Sequence, residues 1–255
     1  MSTQQKTSTT VAKAFAILDM LVSKNERGLS LAEVSNHLQV SKSTAHRYLT
    51  TLEELGVVRR DDRDHFGLGP KLIQLAGAFL NNHDLRNESE PFLERLSAQT
   101  DETVHLAIPS GNNVVYIAKV DSPHSVRMAS HIGARNPMYC TSLGKVILAH
   151  YPTDRVEEII HDGLPERTLH TISSPEALHA ELEHVRVQGF AIDDQENEIG
   201  VRCAGAPIFD YTGKVIGAIS VSGPAGRLTR KRSIEIGSMA SDAALEISRR
   251  MGYQP

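Results

Sequence analysis

Ser30-Leu31-Ala32-Glu33-Val34-Ser35-Asn36-His37-Leu38-Gln39-Val40-Ser41-Lys42-Ser43-Thr44-Ala45-His46-Arg47-Tyr48-Leu49 is the stretch on which the fold turns. Ser30 with Glu33 three residues on is a capping box: the hydroxyl accepts from the Glu33 amide and the carboxylate reaches back. Leu31, Val34 and Leu38 then lay one narrow apolar stripe on a helix ending near His37–Leu38. Gln39-Val40 leaves room only for a tight connection. Ser41 caps a further helix that runs to about Leu55, where Gly56 stops it. This helix turns Ala45, Tyr48, Leu49 and Leu52 inward and Lys42, Ser43, His46, Arg47 and Thr50 outward, with no acidic residue from Ser41 to Leu52. Two short helices with a tight turn between them predict a helix-turn-helix. The outward groups are those that meet DNA: Arg and Lys donate to guanine edges and phosphates, and Ser, Thr and His add phosphate and adaptable base contacts.

The flanks complete the unit. Upstream, Phe15, Leu18, Leu21 and Val22 recur at helical steps over Val11–Val22, and Asn25-Glu26-Arg27-Gly28 breaks the pattern. Downstream, Val57-Val58-Arg59-Arg60, the turn Asp61-Asp62-Arg63-Asp64 and the return His65-Phe66-Gly67-Leu68 predict a β-hairpin. A helix-turn-helix followed by a hairpin is a winged helix, whose Arg59, Arg60 and Arg63 lie beside the phosphate backbone. Pro70 opens another helix, with Leu72, Leu75, Ala76, Phe79 and Leu80 in a stripe that joins head to body or meets a second subunit. The expected boundaries are 1–69 for the winged helix, 70–84 for a linker helix and 85–255 for a second domain.

In that second domain, Leu85–Gln99 predicts a helix with Leu85, Phe92 and Leu96 inward. Thr103–Ile108 and Val114–Val120 flank the turn Ser110-Gly111-Asn112-Asn113, and Val201–Phe209 and Val215–Val221 flank Asp210-Tyr211-Thr212-Gly213, so two hairpins are expected. Val126–Ala129 and Phe190–Ile192 read as further strands, and Thr141–His150, Pro175–Val187 and Thr229–Met251 as helices. The expected class is α+β, an antiparallel sheet covered by helices.

Composition bounds the function. The chain has 255 residues, enough for two domains. It is 40% hydrophobic and 23% charged, and no run approaches the ~18 apolar residues of a membrane span. Met1–Thr10 is polar with one Lys, unlike a secretory signal. Two Cys exclude a disulfide scaffold and suit a reducing compartment, so a cytoplasmic protein is expected. The net charge of −4 hides an asymmetry: residues 1–82 carry +2 and residues 83–255 carry −6. No HExxH, GxSxG or phosphate loop is present, so no catalytic residue and no cofactor is expected. A zinc site drawn from His105, His131, Cys140 and Cys203 is the one metal alternative, and would make the chain a metal-dependent enzyme. A purely architectural DNA-binding protein is the third reading, opposed by the long acidic body.

Four stretches carry a resemblance to a known family: Ser41–Thr44, Asn136–Ala149, Gly200–Asp210 and Ile219–Pro224. Over essentially its whole length the chain resembles the IclR family of bacterial transcription regulators. Glu102–Leu106, Val115–Ile117, Arg127-Met128, Arg135–Pro137 and Met251–Tyr253 are most similar to the branch that senses 2-keto-3-deoxygluconate. The resemblance implies a winged-helix DNA-binding domain, a helical linker and a GAF-like effector domain. It implies homodimers through the DNA-binding domains, paired in some relatives into tetramers, and a small organic acid as ligand. It places DNA contacts on Ser41, Lys42, Ser43, Thr44, His46, Arg47, Arg59 and Arg63. It places effector contacts on Met128, Asn136, Ser142, Leu143, Asp193, Cys203, Ser220 and Ser222. Some relatives carry Gly-Ala where this chain has the bulkier Ser142-Leu143. The chemistry suits a sugar acid: Thr141–Gly144 opens a helix whose amides can hold a carboxylate, Ser220 and Ser222 share one face of a strand, and Asp193 can accept from hydroxyls.

Overall fold

The computed structural model describes residues 9–23, 28–82 and 84–255. The expected break at Asn25-Glu26-Arg27 and most of the polar Met1–Thr10 segment lie outside these. The chain divides into two compact units, Met1–Asn82 and His83–Pro255.

The first unit runs α1 (Thr9–Ser23), α2 (Leu31–Leu38), α3 (Lys42–Glu54), β1 (Val58–Arg60), β2 (Phe66–Leu68) and α4 (Lys71–Asn82). The capping box forms: Ser30 Oγ accepts from the Glu33 amide at 3.3 Å and Glu33 Oε2 accepts from the Ser30 amide at 2.8 Å. Gln39 takes the left-handed φ of 51° that the two-residue connection requires. The connection is closed by the Val40 amide donating to the Ser35 carbonyl at 3.1 Å and by Ser35 Oγ donating to the Val40 carbonyl at 2.8 Å. Ile17, Leu21, Leu29, Val34, Ala45, Leu49, Leu52, Val58 and Phe66 form the buried core. β1 and β2 pair antiparallel, with Arg59 opposite Gly67 and Arg60 opposite Phe66. Gly69 closes the wing onto α3: a Cβ there would stand 2.3 Å from the Gly56 carbonyl oxygen, so only glycine permits the approach. α1 has a second apolar face. Ile17 and Leu21 are buried, while Val11, Phe15 and Val22 are exposed. On α4 Leu72 is half-buried and Leu75 exposed. The side chains of Ala76, Phe79 and Leu80, the rest of the expected stripe, lie outside the described residues.

The second unit runs α5 (Leu85–Thr100), β3 (Thr103–Ser110), β4 (Asn113–Val120), β5 (Arg135–Pro137), α6 (Ser142–Leu148), α7 (Thr153–His161), α8 (Pro175–Gln188), β6 (Ala191–Asp194), β7 (Val201–Phe209), β8 (Val215–Pro224) and α9 (Arg230–Arg250). The strands form one antiparallel sheet in the order β5-β4-β3-β8-β7-β6. Strand alternation sorts its two faces. Val104, Leu106, Ala204, Ala206, Ile219 and Val221 pack with Phe92 and Leu96 of α5 and Ile236, Ala240 and Ile247 of α9. The intervening positions turn to the other face, where Val146, Ile147, Leu178, Leu182 and Val185 of α6 and α8 pack with Val114 and Tyr116. Gly144 brings α6 onto the chain before it: a Cβ there would stand 2.1 Å from the Met138 Cα. The unit is thus α+β, an antiparallel sheet with helices on both faces.

Val126–Ala129 is not a strand. It lies in loop 121–134 between β4 and β5, and its residues enter no ladder. Side chains from distant positions supply the partners instead. Arg227 Nη1 donates to the Val126 carbonyl at 2.9 Å and Lys119 Nζ to the Ser130 carbonyl at 2.8 Å. Among the described residues no helix is long and apolar enough to cross a membrane.

Candidate nucleic-acid interface and effector cavity

The outward face of α3 is as the helical period requires. Lys42, Ser43, His46 and Arg47 are exposed, Thr44 is half-buried, and Ala45, Leu49 and Leu52 hold the helix to its core. Ser41, also exposed, caps the helix. Its Oγ accepts from the Thr44 amide at 3.2 Å and lies 2.9 Å from both the Ser43 and the Thr44 hydroxyls, which orders the helix start. His46 Nδ1 lies 3.4 Å from the Thr50 hydroxyl. On the wing, Asp61 Oδ1 accepts the Arg63 and His65 amides at 2.9 Å each, which shapes the turn and holds the Asp61 carboxyl below the usual range. Arg60 is committed to Asp64 at 2.9 Å and stacks over Phe66. Arg59 and Arg63 are exposed at the wing's edge and tip.

In the second unit, alternation along β3, β4, β7 and β8 turns His105, Tyr116, Cys203, Ser220 and Ser222 toward α6. Cys203 stands opposite Ser222, and His105 opposite Ser220. A cavity opens between this sheet face, the start of α6 and the turn after β6. Met128, Ser142, Leu143, Asp193, Cys203, Ser220 and Ser222 all line it. Asn136 does not: it sits on β5 opposite Val114. Thr141, expected at the helix start, also lines it, and Tyr116, Asn197, Glu198 and Val201, which went unseen in the sequence as cavity residues, complete the lining. For Tyr116 a signal existed in the β4 alternation. The room inside is ≈ 10 Å³, about what one water needs. A larger ligand would have to displace walls to enter. The walls outside the sheet are Met128 in loop 121–134 and Asn197-Glu198 in the turn after β6.

Hydroxyls dominate the polar lining. Ser220 and Ser222 lie 3.5 Å apart. Thr141 Oγ1 takes the Gly144 amide at 3.1 Å and donates to the Pro137 carbonyl at 2.7 Å, so one of the amides expected for a carboxylate is already bound. Asp193 is 3% exposed, and its Oδ1 accepts the Glu196 amide at 2.7 Å and the Asn197 amide at 3.4 Å. Burial, reinforced by Glu196, raises its carboxyl to about 7. Burial also pushes up the Cys203 thiol and the Tyr116 phenol, so both are neutral.

Beneath the cavity lies a buried ion cluster. Lys145 Nζ donates to Glu181 Oε1 at 2.7 Å, Glu196 Oε1 at 2.6 Å and the Ile192 carbonyl at 2.7 Å, with the lysine side chain 1% exposed. Burial pulls the lysine pKa down, but Glu196 and Glu181 outweigh it and the ammonium stays charged. This cluster ties α6, whose first residues line the cavity, to the turn that carries Asn197 and Glu198.

The zinc reading has no support. Among the described residues no group of three or more His, Cys, Asp or Glu is placed to hold a metal ion. His105 stacks on Tyr116 at 4.4 Å, and its Nε2 lies 2.7 Å from Ser130 Oγ. Burial lowers its pKa to about 3, which keeps it neutral.

Comparison with known proteins decides the family. Residues 10–62 match the IclR helix-turn-helix domain, and residues 77–249 match the domain described as bacterial transcriptional regulator IclR C-terminal. The chain belongs to the IclR family. Among IclR-family relatives it is 39% identical to the HTH-type transcriptional regulator KdgR of Escherichia coli (strain K12) over 252 residues, 98% of this chain and 95% of that protein. It is 33% identical to the HTH-type transcriptional repressor AllR of Salmonella typhimurium (strain LT2) over 259 residues, covering 99% of this chain and 93% of that one. The crystal structure of the Thermotoga maritima IclR matches with 38% identity and a TM-score of 0.64, covering 96% of this chain and 99% of that one. This IclR-family chain is a DNA-binding transcriptional regulator.

Proposed function

We propose that the protein represses genes of sugar-acid catabolism and is released from DNA by a small hydroxylated carboxylic acid such as 2-keto-3-deoxygluconate. The observation that carries this reading is the hydroxyl-rich cavity of Ser142, Asp193, Cys203, Ser220 and Ser222 in a chain with an outward basic α3. Its work is binding rather than catalysis, and as a regulator of bacterial genes it acts in the cytoplasm. Lys42, Ser43, His46 and Arg47, with Thr44 at the margin, read the major groove. Arg59 and Arg63 steady the wing on the phosphates. Ser41 sets the register of α3. Val11, Phe15 and Val22, joined by half-buried Leu18, recur on one face of α1 and are 54%, 62% and 61% exposed, which suits contact with a second copy of the chain. Two copies present two α3 helices to the half-sites of a pseudo-palindrome, and dimers can pair into tetramers. The effector binds one dimer geometry better than the other and shifts the population through α4, the linker.

The experiment is binding of the purified chain to its own upstream DNA at stated salt, with and without 2-keto-3-deoxygluconate. Release of specific binding by the acid is the expected result. Specific binding indifferent to that acid keeps the regulator and moves the ligand to another small acid.

A further inference from the structure

The cavity has a charge make-up at odds with the anions it is assigned. Among the residues lining it the carboxylates are Asp193 and Glu198, and none is Lys, Arg or His. Lys145, the buried cation of this region, cannot serve. An ammonium has three donors, and all three are spent on Glu181, Glu196 and the Ile192 carbonyl. Among the described residues Arg167 reaches only the Asn197 carbonyl, at 3.4 Å. An organic acid entering as its anion therefore meets the buried Asp193 carboxylate, with exposed Glu198 also on the lining, and beyond the remaining amides at the start of α6 finds no cation to offset its charge.

Asp193 offers the way out. Its Oδ1 is held by two amides, and among the described residues its Oδ2 has no partner. The groups facing it are Glu196 and Glu198 from the turn after β6, Cys203 opposite it on β7, Tyr116 on β4, Cys140 before α6, and Lys145 within α6. The thiols and the phenol are neutral and donate no charge. Glu196 disfavours a second anion beside it, and the lysine is already outnumbered by Glu181 and Glu196.

We propose that this cavity takes its acid together with one proton from solvent, carried on Asp193, whose Oδ2–H then donates to the ligand carboxylate. The inference rests on the effector reading above and deepens it. Atoms and charge balance: an Asp193 carboxylate, one proton and a ligand carboxylate give a neutral Asp193 acid hydrogen-bonded to an anion. Two carboxylates sharing a site hold one proton between them, and the buried member keeps it. The ligand-free Asp193 carboxyl, raised by burial to about 7, is already poised for this, and a nearby anion raises it further. The preferred ligand class is a hydroxylated monocarboxylate, because a second carboxylate meets Glu198 and no cation.

Calorimetric titration of the full chain with 2-keto-3-deoxygluconate from pH 6 to 9, in two buffers of different ionisation heat, tests the proposal. Near pH 8 the expected uptake approaches one proton per ligand, with Kd weakening about tenfold per pH unit above the Asp193 pKa. Asp193→Asn keeps an Oδ1 for the two amides and is expected to bind with a flat pH profile and no proton uptake. Wild-type binding without uptake and with a flat profile overturns the proposal and leaves the effector reading standing. Absence of binding at every pH overturns both.

Discussion

The two candidate sites are built on opposite principles. The α3 face is exposed, basic and made by one helix, so every group on it is set by local sequence. The cavity is buried, carries carboxylates without cations, and is assembled from β4, β7, β8, the start of α6 and the turn after β6. A surface that meets a polyanion needs little more than cations at the right spacing. A cavity that must tell one small molecule from another needs buried polar groups, and those cost stability unless each is partnered. The first kind of site is cheap to fold. The second needs scaffolding such as the Lys145 cluster.

Changes in the cavity should therefore alter folding stability, and changes on α3 only binding. The largest effect is expected for Asp193→Asn as a function of pH. The native carboxyl holds its proton to about 7, whereas the unfolded one loses it near the ordinary aspartate value of 3.8. Wild-type stability conferred by the protonated group is complete below the unfolded value and lost as pH rises to the folded one. The variant escapes this, so its advantage in urea unfolding should grow from pH 4 to pH 7.5 by on the order of 4 kcal/mol and then level. A gap independent of pH contradicts the assignment. Lys145→Met strands Glu196 beside Glu181 in the interior and should lower unfolding free energy at pH 7 by about 3–5 kcal/mol. A loss under 1 kcal/mol would mean that the cluster is solvated.

On the DNA side, Arg47→Ala should weaken specific operator binding by about 1–3 kcal/mol while leaving the melting temperature nearly unchanged. Unchanged affinity would remove Arg47 from the reading face. Smallest is Ser30→Ala, which deletes one half of the capping box and should cost about 1 kcal/mol of stability in the first unit. No change would mean that tertiary packing alone holds α2.

The same contrast explains what the sequence disclosed. α2, α3 and the wing were legible because caps, stripe and turn residues act over three or four positions. Ser220, Ser222 and Cys203 were legible because period-two alternation on a hairpin carries them to one face. Loop 121–134 was not. Val126–Ala129 alternates as a strand should, yet Arg227, 101 residues away, takes its carbonyl. Asn197 and Glu198 had no local signal either, since their turn is held by Lys145 reaching Glu196 across 51 residues. Asn136, assigned to the effector by resemblance, lies on β5 and does not line the cavity. Ser41 carries both readings at once, because caps and phosphate contacts use the same hydroxyl: it caps α3 and is exposed beside Lys42 and Ser43.

The central claim is that one chain holds two separable sites joined by an equilibrium between dimer geometries. The most direct measurement is fluorescence anisotropy of labelled upstream DNA bound by wild type and by Ser220→Ala, titrated with 2-keto-3-deoxygluconate at fixed salt and pH. The account predicts equal DNA affinity without the acid, and release of the variant only at markedly higher acid concentration. Loss of DNA binding by Ser220→Ala in the absence of acid, or identical release of the two proteins, would contradict it.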